Sequence, residues 1–509
     1  MLGAWLLVPL WLRAGDPFGD RGMSNVFTGL WLVLSGLALL VWFLRRRSLA
    51  RGLRLGVAGG VGLLLALVLQ LVRVTGVSGE MLPRFAWRWS EPPAAAPERR
   101  ATIALAPPGP DDFPGFLGPR RDNAVPAARL ARDWSATPPR LRWRAPIGAG
   151  WSAFAVAGGW AFTLEQDAAG QHVSVRALAD GSVGWSVMLD QPFEHVLGGD
   201  GPRSTPAVVL GAGEGRVVAL SARGRLACLA AQDGELLWDH ELGAEHGLAE
   251  AEELERAQYG RASSPLVAGE LVIVPAGGEA GLVAYELASG ALRWRSPARG
   301  YSYASPALAT LGGVAQVLAV NEATLSGHAL ADGRLLWEHP WPGSSSGDAN
   351  VSQAWPLAPE RVFVSKGYGG GALMLALEAG AAGELVAREL WHAPRTLRTK
   401  FTNVVVHAGH AYGLDDGMLA CLDLASGERR WKEGRYGHGQ VLLAGGLLLL
   451  CSEEGEVVLL EPDPARPNAV LGRFQALEGK CWAHLALAGN LLLLRNAEQC
   501  AAWELPREL

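Results

Sequence analysis

The sequence predicts an all-β protein: an eight-bladed β-propeller of four-stranded blades, preceded by a transmembrane helical hairpin. Three observations lead to this fold class. A strand–turn–tryptophan pattern recurs along most of the chain, glycine (65 residues) and tryptophan (20 residues) are abundant, and two apolar runs flank an arginine-rich loop. Abundant glycine suits many tight turns, and abundant tryptophan suits a recurrent large core side chain. The predicted order is an apolar and polar segment (1–26), the hairpin (27–73), a Pro/Ala-rich linker (74–112) and the propeller (113–509).

The hairpin is predicted from residues 27–44, which are apolar and uncharged, and from residues 55–72, in which Gln70 is the only strongly polar side chain. Each run can cross a hydrocarbon core of about 30 Å if its flanks add a residue or two. Five arginines lie between the runs, and short arginine-rich loops stay in the cytoplasm. We therefore expect the two spans in the inner membrane and the propeller on its periplasmic side. Two buried helices of a soluble domain are the alternative, and the role of the shorter apolar run 4–12 and the choice of Met1 or Met23 as the start stay open.

Composition restricts the partners. The net charge is −5, 19% of the residues are charged, and no basic stripe runs along the chain, so nucleic acid is not an expected partner. The linker is rich in proline and alanine, a composition that favours extended conformations and buries little. We expect it to hold the propeller away from the bilayer.

The repeat unit is a strand, an Asp-Gly or Ser-Gly turn, and a strand that carries tryptophan. Clear copies lie at residues 177–185, 229–238, 287–294, 330–337 and 422–431. Asp or Ser caps the turn with its side-chain oxygen, and glycine supplies the positive φ of a tight hairpin. Because the tryptophan follows that glycine at a fixed distance, it falls on one face of the strand and can pack against the neighbouring repeat. Counting copies with altered turns, eight blade-docking positions result: Trp143, Trp185, Trp238, Trp294, Trp337, Trp391, Trp431 and Phe474.

A second signal alternates with the first, a short strand that runs into glycine, as in Ser264-Pro265-Leu266-Val267-Ala268-Gly269. Two signals in step describe four-stranded blades. This alternation resembles the pyrroloquinoline-quinone-like repeat family, which includes quinoprotein dehydrogenases and the eight-bladed lipoprotein of the outer-membrane β-barrel assembly machinery. The resemblance covers about residues 113–505 and implies the propeller fold. It does not imply one activity, because enzymes and non-enzymes share the motif.

The two ends of the repeat region are expected to form one blade together. The strand of Trp143 lacks the three strands that precede the tryptophan strand in the other repeats. Residues 481–505 supply about three strands, and no tryptophan strand follows them. Joining the two sets would close the ring and remove exposed sheet edges.

The resemblance implies that the ligand-facing surface is formed by the loops that leave each tryptophan strand. The loop 186–204 brings an acid, a base and a histidine together, and the loop 240–261 contains an acidic stretch that predicts a surface helix. Binding at the channel mouth and ordinary structural roles both stay open for these side chains. The candidate mouth residues are Glu194, His195, Asp200, Arg203, Lys400, Arg435, His438 and Lys480.

Two functions are compatible with these features. The first is a scaffold that binds an unknown protein and has no catalytic activity. The second is a quinone- or metal-dependent oxidoreductase, for which the resemblance implies pyrroloquinoline quinone and calcium. The sequence has no adjacent Cys-Cys pair and no CxxCH cytochrome motif, and it allows no assignment of calcium ligands or catalytic residues. The scaffold is therefore favoured, with no metal site predicted.

The five cysteines contain no CxxC pair. Cys481 and Cys500 flank one predicted hairpin, so in an oxidising compartment they could form a disulfide, and small buried thiols are the alternative.

Overall fold

The computed structural model describes residues 8–9, 11–12, 17, 20–90, 98–211, 214–344, 347–380 and 384–508. Most of the apolar run 4–12 and linker residues 91–97 lie outside this part of the chain. The chain divides into two compact units. One comprises Met1–Pro92 with Val196–Gly199, and the other comprises Pro93–His195 with Asp200–Leu509.

The first unit contains two apolar helices, α1 (Arg21–Arg45) and α2 (Arg51–Leu71), and a two-stranded sheet of β1 (Val72–Val77) and β2 (Pro83–Trp87). Asp20 caps α1 by accepting a hydrogen bond from the backbone of Met23 at 3.2 Å. Both helices are long and apolar enough to cross a membrane, by length and composition. Four residues of α1 and none of α2 are buried, unlike helices that form the core of a soluble domain.

The second unit is an eight-bladed propeller. Its chain begins with β3 (Ala124–Val125) and β4 (Arg140–Pro146), which join the last two blades. The first four blades follow in chain order. Blade I contains β5 (Ala155–Ala157), β6 (Trp160–Gln166), β7 (Gln171–Ala177) and β8 (Val183–Asp190); blade II contains β9 (Ala207–Leu210), β10 (Gly215–Leu220), β11 (Arg225–Ala230) and β12 (Leu236–Glu241). Helices α3 (Leu242–Glu245) and α4 (Glu250–Arg256) precede blade III, so the predicted acidic surface helix is present. Blade III contains β13 (Leu266–Ala268), β14 (Leu271–Gly277), β15 (Ala280–Glu286) and β16 (Leu292–Arg295); blade IV contains β17 (Ala307–Leu311), β18 (Val314–Val320), β19 (Thr324–Ala329) and β20 (Leu335–Pro340).

The remaining blades complete the ring. Blade V contains β21 (Trp355–Leu357), β22 (Arg361–Lys366), β23 (Gly371–Ala379) and β24 (Leu385–Ala393); blade VI contains β25 (Val405–His407), β26 (His410–Asp415), β27 (Met418–Asp423) and β28 (Arg429–Arg435). Blade VII contains β29 (Gln440–Ala444), β30 (Leu447–Cys451), β31 (Glu456–Glu461) and β32 (Ala469–Gln475), with β3 added in parallel beside β29. Blade VIII contains β33 (Ala486–Ala488), β34 (Leu491–Arg495) and β35 (Gln499–Glu504), and β4 pairs with β35 as its fourth strand. The two ends of the chain thus close the ring in one blade, as predicted.

The first strands of the blades surround the propeller axis, since the first strands contact each other in at least five of the eight neighbouring pairs of blades. The second sequence signal begins with a serine, as at Ser264, and this position lies just before the first strand of each blade. In four blades, the backbone N–H of the residue at this position donates to a side-chain oxygen at the same position of the next blade. The pairs are Ala153 to Thr205, Thr205 to Ser264, Ser264 to Ser305 and Gln353 to Asn403.

The rim of the ring is held by the repeated tryptophans. The indole N–H groups of six of them donate to a backbone carbonyl of the next blade at 2.9–3.1 Å: Trp143 to Leu178, Trp185 to Ala231, Trp238 to Leu287, Trp294 to Leu330, Trp391 to Leu424 and Trp431 to Asp463. In five of these interfaces the ring also lies on a turn glycine, at Gly181, Gly234, Gly290, Gly333 or Gly427. Each of these glycines has a φ of +71° to +75°, and an added Cβ would lie 2.4–2.9 Å from the indole. Only glycine satisfies both conditions.

Two interfaces depart from this pattern. Trp337 of blade IV donates to the side-chain oxygen of Gln316 in its own blade, at 2.7 Å. In blade VII, the strand register places Gly472, and not Phe474, at the position of the tryptophans. Trp134, from the segment before β4, covers Gly472, and Phe474 packs between Trp134 and Trp503. The interface between blades VII and VIII therefore takes its large aromatic side chain from Trp134, which precedes β4 in the chain.

Candidate binding face

The candidate site is the face of the propeller formed by the loops that connect each fourth strand to the next first strand. We call it the loop face. In chain order these loops are residues 147–154, 191–206, 242–265, 296–306, 341–354, 394–404, 436–439 and 476–485.

The axis behind the loop face is filled by residues 113–125, which we call the hub segment. Phe113 and Val156 exchange two backbone hydrogen bonds at 2.7 and 2.8 Å, and Val208 donates to Pro114 at 2.8 Å. The segment later turns back and pairs with β29 through Ala124 and Val125. The beginning of the hub segment therefore contacts the first strands of blades I and II, and its end contacts the first strand of blade VII.

The turn of the hub segment reaches the loops themselves. The guanidinium of Arg121 donates to the carbonyls of Pro265 and Ser264, and its own carbonyl accepts from the side chain of Gln353 at 2.7 Å. Phe116 packs edge-on against His484, with ring centroids 5.9 Å apart. Burial lowers the pKa of Arg121 to about 10 and that of His484 to about 4.

Asn123 closes the hub on the remaining side. Its side-chain amide is fully buried and donates to the carbonyls of Val404 in blade VI and Val441 in blade VII, at 3.0 and 2.8 Å. Together with the contacts above, residues 113–125 touch seven of the eight blades. The axis is therefore occupied by the protein's own chain.

An aromatic cluster lies on the loop face between blades V and VIII. The ring of Trp482 is 5.1 Å from that of Trp151 and 4.9 Å from that of Phe401, centroid to centroid. The ammonium of Lys480 lies 3.8 Å from the centre of the Trp482 ring and 4.7 Å from that of Trp151, within cation–π range. The carboxylate of Glu453 accepts from the indole of Trp482 at 3.1 Å, which orients the ring. We call Trp151, Phe401, Lys480 and Trp482 the tryptophan patch.

A second aromatic cluster lies on the loops that enter blades II to IV. Tyr303 packs edge-on against Tyr259 and Tyr301, and His195 packs edge-on against Tyr259 with centroids 4.7 Å apart. Arg261 packs against this cluster. Its guanidinium donates two hydrogen bonds of 2.7 Å to the carboxylate of Glu253 and forms a cation–π contact with the Tyr301 ring. Burial raises the pKa of all three tyrosines, so their hydroxyls stay protonated at neutral pH.

The structure does not bring the eight candidate mouth residues together: four lie in the loop beside the tyrosines, two lie in or against the tryptophan patch and two lie in neither cluster. Beside the tyrosines, the carboxylate of Asp200 accepts from the backbone of His195, Arg203 lies over the Phe193 ring, and Glu194 is exposed. Burial lowers the pKa of His195, and the positive charge of Arg203 lowers it further, against the opposing effect of Asp200.

Four candidates lie on the other half of the face. His438 is buried against Phe401, and its backbone N–H donates to Glu453, which brings it together with the tryptophan patch. Lys480 is part of that patch. Lys400 is buried and pairs with Asp416 at 3.3 Å, and Arg435 is exposed beside Gly417.

Sequence reasoning missed the side chains that organise the tryptophan patch. Trp151, Phe401, Glu453 and Trp482 come from three different loops and from the turn after β30, so no local spacing joins them. A signal existed for one of them, because Lys480 and Trp482 are two residues apart and share a face wherever the backbone is extended.

The residues present do not fit a quinone–calcium pair. At the loop face the axis is occupied by Phe116 and Arg121 of the hub segment, which contact His484 and Ser264. In the part of the chain that the structure describes, no three His, Cys, Asp or Glu side chains come together as a metal-binding group. No step through a quinone follows from this geometry.

The five cysteines are buried free thiols, which corresponds to the second of the two sequence-based alternatives. Cys481 lies beside Cys451, and Cys500 lies elsewhere, with its sulfur 3.6 Å from the carbonyl of Ala145.

Comparisons with known proteins agree with this architecture. A family model described as outer membrane protein assembly factor BamB matches residues 169–433, more than half of the chain. The solved structure of BamB from Moraxella catarrhalis superposes with a TM-score of 0.50 at 14% identity, covering 72% of this chain and 99% of that one. Quinohemoprotein alcohol dehydrogenase ADHIIG from Pseudomonas putida HK5 superposes with a TM-score of 0.51 at 12% identity, covering 79% and 81%. Identities this low show the fold alone. No curated protein matches the sequence.

Proposed function

The chain belongs to the family of the outer membrane protein assembly factor BamB, and from that premise we propose that it is a membrane-anchored scaffold whose propeller binds a protein partner on its loop face, on the periplasmic side of the inner membrane. The observation that carries the proposal is the combination of a filled axis and the tryptophan patch. A partner can use this patch without entering the ring.

The patch has the composition of an interaction site. Aromatic side chains supply most of the binding energy in many protein interfaces, and a cation held among them adds orientation. Phe401, Lys480 and Trp482 are half-buried, so part of each remains accessible, while Trp151 is buried beneath them. A partner that presents apolar side chains beside a carboxylate fits this surface.

The proposed contact can be tested by crosslinking in intact membranes. A photoreactive amino acid at Phe401 should capture a partner, and Lys480→Glu should abolish that capture by reversing the charge at the patch. The matched control is Arg388→Glu, an equal charge reversal on exposed β24, whose ion-pair partner Glu378 lies by the β23–β24 turn at the end of the blade opposite to the loop face. Equal loss of capture in both variants, or capture that neither affects, would exclude the patch as the binding site.

Topology is tested separately. The five native cysteines are buried, so an engineered cysteine can be labelled selectively. Ala136, which is exposed in the propeller unit, should react as cysteine with a membrane-impermeant thiol reagent on intact spheroplasts. Ser48, in the arginine-rich loop, should react as cysteine only after lysis. The opposite pattern would place the propeller in the cytoplasm.

The alternative function of a quinone-dependent oxidoreductase has its own test. Purified protein supplied with pyrroloquinoline quinone and calcium should not reduce an artificial electron acceptor when alcohols or sugars are added. Reduction that depends on all components would overturn the scaffold proposal.

A further inference from the structure

The β1–β2 sheet, which we call the ribbon, begins where the second apolar helix ends. Val72, its first residue, directly follows Leu71, and the backbone N–H of Arg88 donates to the carbonyl of Leu71 at 2.9 Å. At the other end of the ribbon, the carbonyl of Glu80 accepts from the side chain of Asn25, in the first turns of α1. The ribbon is therefore tied to the C-terminal end of α2 and to the N-terminal end of α1.

One face of the ribbon is aromatic and aliphatic. Val72 is paired with Trp87 and Val74 with Phe85, and residues directly opposite each other share a face. The exposed fractions on this face are 54% for Val74, 64% for Phe85 and 52% for Trp87. Trp89, which is 65% exposed, stacks on Trp87 with centroids 5.1 Å apart. Such a cluster of large apolar side chains requires a covering surface.

The opposite face carries arginine. Arg73 is paired with Ala86 and Arg84 with Gly76, so their side chains alternate with the aromatic ones along the two strands. The guanidinium of Arg73 donates to the carbonyl of Ser90 at 3.0 Å, and that of Arg88 donates to the carbonyl of Leu69 at 2.9 Å. Cationic and aromatic side chains thus lie back to back on a ribbon only two strands wide.

A lipid headgroup region fits both faces. At 1.5 Å per residue, α1 is about 37 Å long and α2 about 32 Å, so a helix pair that crosses a hydrocarbon core of about 30 Å ends at the interface. Tryptophan is enriched at that depth, and arginine binds lipid phosphates. Resting on the proposed membrane anchoring, we infer that the ribbon lies in the outer interface of the bilayer, with Phe85, Trp87 and Trp89 among the lipid chains and its arginines at the phosphates.

Site-directed spin labelling of the full chain tests this inference. A nitroxide would be placed on Phe85→Cys, on Arg84→Cys and on Leu64→Cys in nanodiscs that contain phosphatidylglycerol, with the buried native cysteines unlabelled. Collision rates with oxygen, which concentrates in lipid, and with a water-soluble nickel chelate would be compared. We expect the oxygen-to-nickel ratio at position 85 to approach that at position 64 and to exceed that at position 84 severalfold.

The three positions separate the possible outcomes. A lipid-like ratio at position 64 with a water-like ratio at position 85 would overturn the ribbon inference and leave the anchoring intact. A water-like ratio at position 64 would overturn the anchoring itself. Protection of position 85 from both reagents would show that protein, such as a second copy of the chain, covers the aromatic face, and it would also overturn the inference.

Discussion

The blades of the propeller are held together in two regions, by the tryptophans at the outer rim and by the hub segment at the axis, and the two regions use different contacts. At the rim, five interfaces repeat one contact, an indole lying on a turn glycine and donating to a carbonyl of the next blade. At the hub, one segment of thirteen residues, 113–125, contacts seven blades through backbone pairing, side-chain hydrogen bonds and aromatic packing, with no contact that repeats around the ring. A rim substitution should therefore weaken one interface, whereas a hub substitution should weaken several together.

The largest effect is expected at the hub, from Asn123→Asp. The fully buried amide of Asn123 donates to two carbonyls in different blades. An ionised carboxylate has no hydrogen-bond donor, so it would lie against the same two carbonyl oxygens without a bond to either. Losing both bonds and burying an unpaired charge should cost on the order of 4 kcal/mol. Denaturant unfolding of the detergent-solubilised chain measures this cost.

Asn468→Asp is the matched control, because both asparagines have a positive φ, +53° for Asn123 and +51° for Asn468. The side-chain oxygen of Asn468 accepts from the hydroxyl of Tyr436 at 2.6 Å, and aspartate keeps that acceptor. A cost at Asn123 no greater than at Asn468 would show that the hub bonds do not hold the blades together.

The next effect is expected at the rim, from Gly333→Ala. Gly333 and Gly313 both lie in blade IV with φ values of +71° and +72°, but an added Cβ would lie 2.4 Å from the Trp294 ring at Gly333 and would meet nothing within 4 Å at Gly313. Both substitutions should cost about 1–2 kcal/mol for the left-handed backbone. The clash should add about 1–3 kcal/mol at Gly333 alone, measured as the difference between the two unfolding free energies. Equal costs would mean that the indole moves aside.

The rim could be predicted from sequence and the hub could not, for one physical reason. A contact that recurs in most blades leaves a recurrent spacing in the sequence, so the tryptophans, the turn glycines and the closing blade can be recognised in one sequence. Residues 113–125 occur once, and their partners lie on first strands far away in sequence. The sequence predicts that the propeller region begins at residue 113, but it contains no signal that residues 113–125 fill the axis.

Phe474 shows the limit of the pattern within the rim. The spacing assigns it to the docking position, but in most other blades the tryptophan is the residue paired just before a bulge, and in blade VII that residue is Gly472, paired with Leu459. The aromatic ring that covers Gly472 comes from Trp134, more than 300 residues earlier in the chain. A local pattern contains no signal for a partner from the other end of the ring.

A smaller effect on the free energy of unfolding should distinguish the interface of Trp337, which bonds to a side chain of its own blade, from the interfaces in which a tryptophan bonds to the next blade. Trp337→Phe removes the bond to Gln316, whereas Trp294→Phe removes a bond to the backbone of Leu330. In a double-mutant cycle, Gln316→Met should reduce the cost of Trp337→Phe by about 0.5–1.5 kcal/mol. The same background change should leave the cost of Trp294→Phe unaltered. Coupling of Gln316 to both tryptophans would mean that the two interfaces are not distinct.

The effect that is smallest at neutral pH is a pH dependence that arises at the hub and grows as the pH falls. Burial against Phe116 lowers the pKa of His484 from its ordinary 6.5 to about 4, so the folded protein holds this imidazole neutral where the unfolded chain protonates it. The unfolded state then binds the additional proton, and stability falls as pH falls from about 6.5 toward 4, by at most about 1.4 kcal/mol per pH unit. His484→Gln should remove that part of the slope in unfolding measurements between these pH values. His392→Gln, at an exposed position of blade V, controls for the loss of an imidazole. If the slope of the His484 variant equals that of the unchanged chain, the hub does not hold this side chain neutral.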